Sequence, residues 1–177
     1  METRLYLFAV VAVALAASGC SGKMGRSLVQ NEEATAQPIS FIKMNDAAAS
    51  AQLLSGFYAT EAGAWRWTAG KFAAQLATPP AAAQNGGTVT LAFTIPEVVI
   101  KHAGKITLSA SVNGKALGSN SYDAVGPAVF TADVPKELLS MDSIKVEFAL
   151  DKDLPPNSAG DARELGVIAN SVGLAAR

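Results

Sequence analysis

Two tryptophans flank an arginine in Trp65-Arg66-Trp67, and they are the only tryptophans of the chain. In an extended backbone the indoles point to one side and Arg66 to the other. Facing inward, they supply a large buried area; facing outward, they form a flat platform for pyranose rings. At least one indole is expected in the core, because large aromatics dominate sandwich interiors. Tyr58 and Glu61 lie just before this stretch, and Asp161 and Arg163 lie near the C-terminus. An arginine with two carboxylates makes bidentate, charge-assisted bonds. If the strand carrying Arg66 neighbours the last strand, Glu61, Arg66, Asp161 and Arg163 meet. With an indole floor, that set suits sugar hydroxyls. Without a ligand, it is an ion-pair network that fixes register at a sandwich rim, which is the preferred reading.

Catalytic chemistry has little to stand on. His102 is the sole histidine and reads as part of a loop between strands. No serine sits in a G-x-S-x-G elbow. Zinc needs more His or Cys partners than the chain has. Glu61 and Asp161 form the one carboxylate pair worth naming for glycoside hydrolysis, but their separation is not a property of sequence. Gly86-Gly87 leads into a strand, not a phosphate-binding helix. The Asp151–Asp161 stretch, with Asp153, Asn157 and Ser158, is rich in oxygen ligands but lacks EF-hand spacing, so an acidic turn is expected there. No catalytic residue, metal or cofactor is expected.

The elements that must hold these residues begin with the N-terminus. Leu5 to Ala17 is a continuous apolar run, short for a membrane span and right for a signal-peptide core. Small residues then lead to Cys20, the only cysteine, so no disulfide forms within the chain. Ala17-Ser18-Gly19-Cys20 resembles the lipobox of bacterial lipoproteins, departing from it at Ala17, where Leu, Val or Ile is commoner. The resemblance implies cleavage before Cys20, a diacylglycerol on its thiol and an acylated amine. Several chains together anchor stably where a single one does not. Ser21 in place of Asp implies, by the enteric rule, the outer membrane. The expected organisation is a signal peptide over 1–19, a lipidated N-terminus and flexible tether over 20–37, and a β-sandwich over 38–177. The expected location is the cell envelope, facing the periplasm or exported to the surface.

Half of the 177 residues are hydrophobic, many of them alanine, and the net charge is −1. That charge gives no electrostatic case for nucleic acid or acidic lipid. The expected partners are the membrane through Cys20, and a glycan or an envelope protein.

From Phe57 onward the pattern has period two. Val89, Leu91, Phe93 and Ile95 share a face, as do Ile106, Leu108, Ala110 and Val112. Asn113-Gly114 follows the second run and predicts a type I′ hairpin. Phe130-Ala132-Val134, Ile144-Val146-Phe148-Leu150 and Ile168-Val172-Leu174 continue the alternation. Thr68 to Lys71 reads as a turn, and Ala47 to Leu54, behind Asn45 and Asp46, as a short helix ended by Gly56. About eight short strands predict an all-β, antiparallel sandwich of jelly-roll character.

Gly56-Phe57-Tyr58, Glu61 and Trp65-Arg66-Trp67-Thr68, with the late Asp161-Ala162-Arg163-Glu164-Leu165-Gly166-Val167, resemble a β-sandwich domain of bacterial proteins. That domain occurs beside glycosyltransferase and other glycan-related modules, and alone in lipoproteins. The resemblance spans most of residues 53 to 174. It implies glycan-associated recognition or scaffolding without catalysis, with Glu61, Arg66, Trp67, Asp161 and Arg163 as the binding residues.

Overall fold

The computed structural model describes residues 37–177, and all statements below concern them. The signal segment, Cys20 and nearly all of the expected tether lie outside these residues.

The alternating runs form strands. They are β1 (Phe41–Lys43), β2 (Leu53–Phe57), β3 (Arg66–Ala77), β4 (Gly87–Ile95), β5 (Ile106–Val112), β6 (Lys115–Tyr122), β7 (Gly126–Val134), β8 (Ser143–Leu150) and β9 (Ile168–Ala176). Two short helices, α1 (Pro80–Asn85) and α2 (Glu97–Ala103), cover connections. Every pairing is antiparallel. One sheet runs β1-β9-β4-β7, and the other runs β2-β3-β8-β5-β6. Leaving β2 aside, this interleaved order is that of a jelly roll.

Strand β3 belongs to both sheets. Arg66 and Trp67 pair with β9, whereas Lys71 to Ala77 pair with β8. The expected turn at Thr68–Lys71 is therefore the middle of a continuous strand as it crosses from one sheet to the other. The first and last long strands do neighbour each other, as the rim network requires.

The core lies between the inward rows. Phe72 stacks on its cross-strand partner Phe148 at 5.1 Å, and Phe130 of the opposite sheet meets Phe148 edge-on at 6.1 Å. Asn113 and Gly114 both have positive φ, as a type I′ hairpin between β5 and β6 demands.

Two local expectations differ from the structure. The Ala47–Leu54 helix shrinks to a 3-10 turn at Ser50–Gln52, and Gly56, with φ of 71°, lies inside the bulged strand β2. His102 sits on the last turn of α2 and not in a loop. That helix is only two turns long and rests on Val99, too short for its period to stand out.

Candidate functional site at the sandwich rim

Two chain segments build the rim. The first is the tight connection from β2 to β3. The Glu61 amide donates to the Trp65 carbonyl at 2.8 Å, and Ala62 and Gly63 turn the chain between them with positive φ. The second runs from Asp161 to Val167, between β8 and β9.

These segments zip together through their backbones. The Thr68 amide donates to the Val167 carbonyl at 2.9 Å, and the Gly166 amide donates to the Thr68 carbonyl at 2.7 Å. The buried Thr68 hydroxyl accepts the Val167 amide at 3.1 Å. A Cβ on Gly166 would sit 2.7 Å from the Ala69 carbonyl, the Leu150 side chain and Thr68 Oγ1 alike. Glycine is thus the residue that lets the segment leading into β9 approach β3. The Trp-Arg-Trp-Thr and Leu-Gly-Val halves of the sequence pattern are two sides of one seam.

Arg163 is the hub above that seam. Its Nε and Nη2 donate to Asp161, with Nη2–Oδ2 at 2.8 Å, and its Nη1 donates to Glu61 Oε1 at 2.9 Å. Asp161 Oδ1 also accepts the Arg163 amide at 2.9 Å, which folds the side chains back on each other. The guanidinium lies 4.9 Å from the centroid of the Tyr58 ring. The Tyr58 hydroxyl in turn donates to the Glu164 carbonyl at 2.7 Å. Glu61, Asp161, Arg163 and Tyr58 therefore form one half-exposed unit.

Arg66 takes a different path. Its Nε donates to the Met44 carbonyl at 2.9 Å, Nη1 to the Tyr58 carbonyl at 3.0 Å and Nη2 to Ser50 Oγ at 3.1 Å. It holds the backbone beneath the patch, including Tyr58, and pairs with none of the three charged residues. Trp65 and Trp67 are both half-buried, and Trp67 packs against the core. The expected core indole is therefore found only at the margin of the core, since neither tryptophan is fully buried.

The charges are tuned by these contacts. Hydrogen bonds from Arg163 hold the Asp161 carboxyl down at about 2. Asp161, then Glu61, push the Arg163 guanidinium further up, so it is charged throughout. Burial, then Glu164, raises the Tyr58 phenol, which stays a donor.

A second carboxylate pair lies under the crossing of β3. Glu164 Oε1 accepts the Gly70 amide at 2.6 Å, and Asp153 sits beside it. Burial, followed by repulsion from Glu164 and a hydrogen bond with it, raises the Asp153 carboxyl. A Cβ on Gly70 would collide with the Asp153 carboxylate, so the glycine read as a turn signal is instead a close-approach residue. Sequence reasoning gave neither Glu164 nor Gly70 a place in a site. The only hint was that Glu164 stands between Arg163 and Leu165 in the late motif. Asp151 accepts the Thr107 amide at 2.6 Å, while Asp161 is engaged by Arg163. Among the described residues, no group of three or more His, Cys, Asp or Glu is arranged to hold a metal ion.

No family model matches the sequence, and no curated protein matches it. Among solved structures, the chain is similar to the carbohydrate-binding module CBM36 in complex with calcium and xylotriose, at 11% identity and a TM-score of 0.43, over 77% of this chain and 100% of that one. It is also similar to part of BtGH115A, a family GH115 4-O-methyl-α-glucuronidase, at 14% identity and a TM-score of 0.42, over 64% of this chain and 14% of that one. A third is the CBM36-1 domain of a multidomain xylanase from the hindgut metagenome of Trinervitermes trinervoides, at 11% identity and a TM-score of 0.36, over 60% of this chain and 71% of that one. Likeness at these scores says nothing of ligand, metal or residue roles in this chain. The sandwich rests on its strand pairing.

Proposed function

We propose that the protein is a lipid-anchored, non-catalytic module of the bacterial cell envelope whose β-sandwich binds glycan at the rim. The contact patch is Tyr58, Glu61, Asp161 and Arg163, flanked by Trp65 and Trp67, with Arg66 holding its backbone. One observation carries the reading. The Arg163 guanidinium is immobilised by two carboxylates and an aromatic ring, yet its side chain remains 31% exposed. Of its five N–H donors, three are engaged, which leaves two pre-positioned for sugar hydroxyls. Lipidation at Cys20 would tie the module to a membrane, the outer membrane by the sequence rule, with the sandwich in the periplasm or at the surface.

The test is tryptophan fluorescence of the full-length protein titrated with cell-wall and capsular oligosaccharides. Arg163→Ala is expected to weaken binding at least ~10-fold, as for loss of a charged hydrogen-bonding group, with the circular dichroism spectrum retained. An unchanged affinity, or silence across the panel, refutes the rim reading, and turnover of a bound glycan refutes the non-catalytic one. The anchor is tested separately by fatty-acid labelling, which Cys20→Ala should abolish.

A second reading, an envelope protein docked on a sheet edge, is favoured by the outer edge of β7, which no further strand pairs and where Val129, with Val125 just before the strand, is exposed. A crosslinked partner that sugars do not displace would support it.

A further inference from the structure

We propose that a trough on the outer face of the second sheet is a separate binding site for an extended, uncharged glycan chain. It lies across β2, β3, β8, β5 and β6 and encloses about 510 Å³, within the usual range for a ligand site. This goes beyond the rim patch and shares with it only the class of ligand.

The shape has a cause in the sequence. Phe72, Phe148 and Ala110 point into the core, so their neighbours point outward. Register places those neighbours in two adjacent rows across the strands. One row is Lys71, Ala149, Ser109 and Ser119; the next holds Ser55, Ala73, Glu147 and Ser111. The floor is thus mostly alanine and serine. The flanking strands β2 and β6 both carry register shifts opposite this floor, and bulged strands bend. Ala73 measures the result: on an outward-facing position it is only 3% exposed.

The ligand class follows from what the trough offers. Strands β3, β8 and β5 are each paired on both sides, so their backbones have little left for a peptide strand. What remains is side-chain chemistry. Ser55, Ser111 and Ser119 present hydroxyls that both donate and accept. Ser109 donates to the Ala149 carbonyl at 3.1 Å, which leaves its lone pairs to accept. The charges that line it have both signs, Lys71 on β3 in one row and Glu147 on the central strand β8 in the other, ion-paired with Lys145 at 2.6 Å. A polyanion or polycation gains nothing there, whereas a chain of hydroxyls meets partners along its length.

The experiment is native affinity electrophoresis of the full-length protein in detergent, through gels containing β-1,4-glucan, β-1,4-xylan, β-1,4-mannan or dextran. Polygalacturonate and an extended serine-rich peptide are the contrast arms. At least one neutral polymer should retard the protein. Ala149→Tyr, which fills the floor with a residue that strands favour, should weaken that retardation at least ~10-fold. The milder pair Ser109→Ala and Ser119→Ala guards against misfolding, and removing their hydrogen bonds should cost roughly 5-fold or more. Loss in these variants supports the trough whatever Arg163→Ala does. Retardation that Arg163→Ala abolishes while the trough variants keep it overturns the trough and leaves the rim reading standing. Retardation by polygalacturonate or the peptide alone, or by nothing, overturns the trough as well.

Discussion

Arg66 is where fold and function are easiest to tell apart. Replacing it with alanine removes three hydrogen bonds, to the Met44 and Tyr58 carbonyls and to Ser50 Oγ. Bonds to a charged group contribute about 1.5–3 kcal/mol each, and stranded buried acceptors add to the loss. Met44 is fully buried, whereas Arg66 and Tyr58 are half-exposed, so water recovers part of it. The expected cost is roughly 2–4 kcal/mol, or about 8–16 °C in Tm at roughly 4 °C per kcal/mol for a domain of this size. Urea unfolding followed by the fluorescence of Trp65 and Trp67 reads it directly, with the m-value unchanged. Arg66→Lys should recover less than half, because an ammonium cannot span three acceptors placed for a planar fork. A loss below about 0.5 kcal/mol, coupled to abolished glycan binding, would refute the reasoning and put the guanidinium in contact with ligand.

Gly166→Ala should destabilise by more than about 3 kcal/mol, because its Cβ meets backbone and two side chains at 2.7 Å; chemical denaturation beside Gly63→Ala, which meets nothing within 4 Å and carries only the strain of a φ of 63°, should show the larger loss at Gly166. The carboxyl of Asp161 is depressed to about 2 in the fold, so its contribution is present above the ordinary value near 3.8 and lost as pH falls through about 2. The stability gap between the native protein and Arg163→Met should therefore be flat above about pH 4 and narrow below it; a constant gap down to pH 2 contradicts this. Asp153 has the opposite sign: its raised carboxyl favours folding when protonated, and that benefit is lost as pH rises through the folded value. Asp153→Asn should then be more stable than the native protein at neutral pH, with the advantage fading in acid, as thermal unfolding across pH will show.

Alternation alone marked β4, β5, β7 and β8, and Asn113-Gly114 marked the hairpin, because side-chain period and turn φ are local properties. In β9 it held for Val172 and Leu174 but not for Ile168, because the register shift opposite Ala92 and Phe93 turns Ala169 inward instead. Strand β6 escaped because Lys115 to Tyr122 is an edge exposed on both faces, so burial left no period to read. Strand β2 escaped because its two register shifts and the left-handed Gly56 break the alternation. Thr68 to Lys71 looked like a turn because small residues and a glycine usually mean one. Here they mean close approach, of Thr68 to Gly166 and of Gly70 to Asp153.

What the sequence by itself determined is the class of fold, the inward rows and the residue types at the rim, all of which depend on neighbours in the chain. Only the tertiary structure decided how those types pair. The placement of β3 beside β9 brings Arg163 to Glu61, 102 positions away, and turns Arg66 toward carbonyls instead. The second sheet, with bulged strands on both flanks, opened a trough whose alanines and serines carry no signal until register aligns them. A hydrogen bond needs its partners within about 3 Å, and strand order, not spacing along the chain, sets that distance.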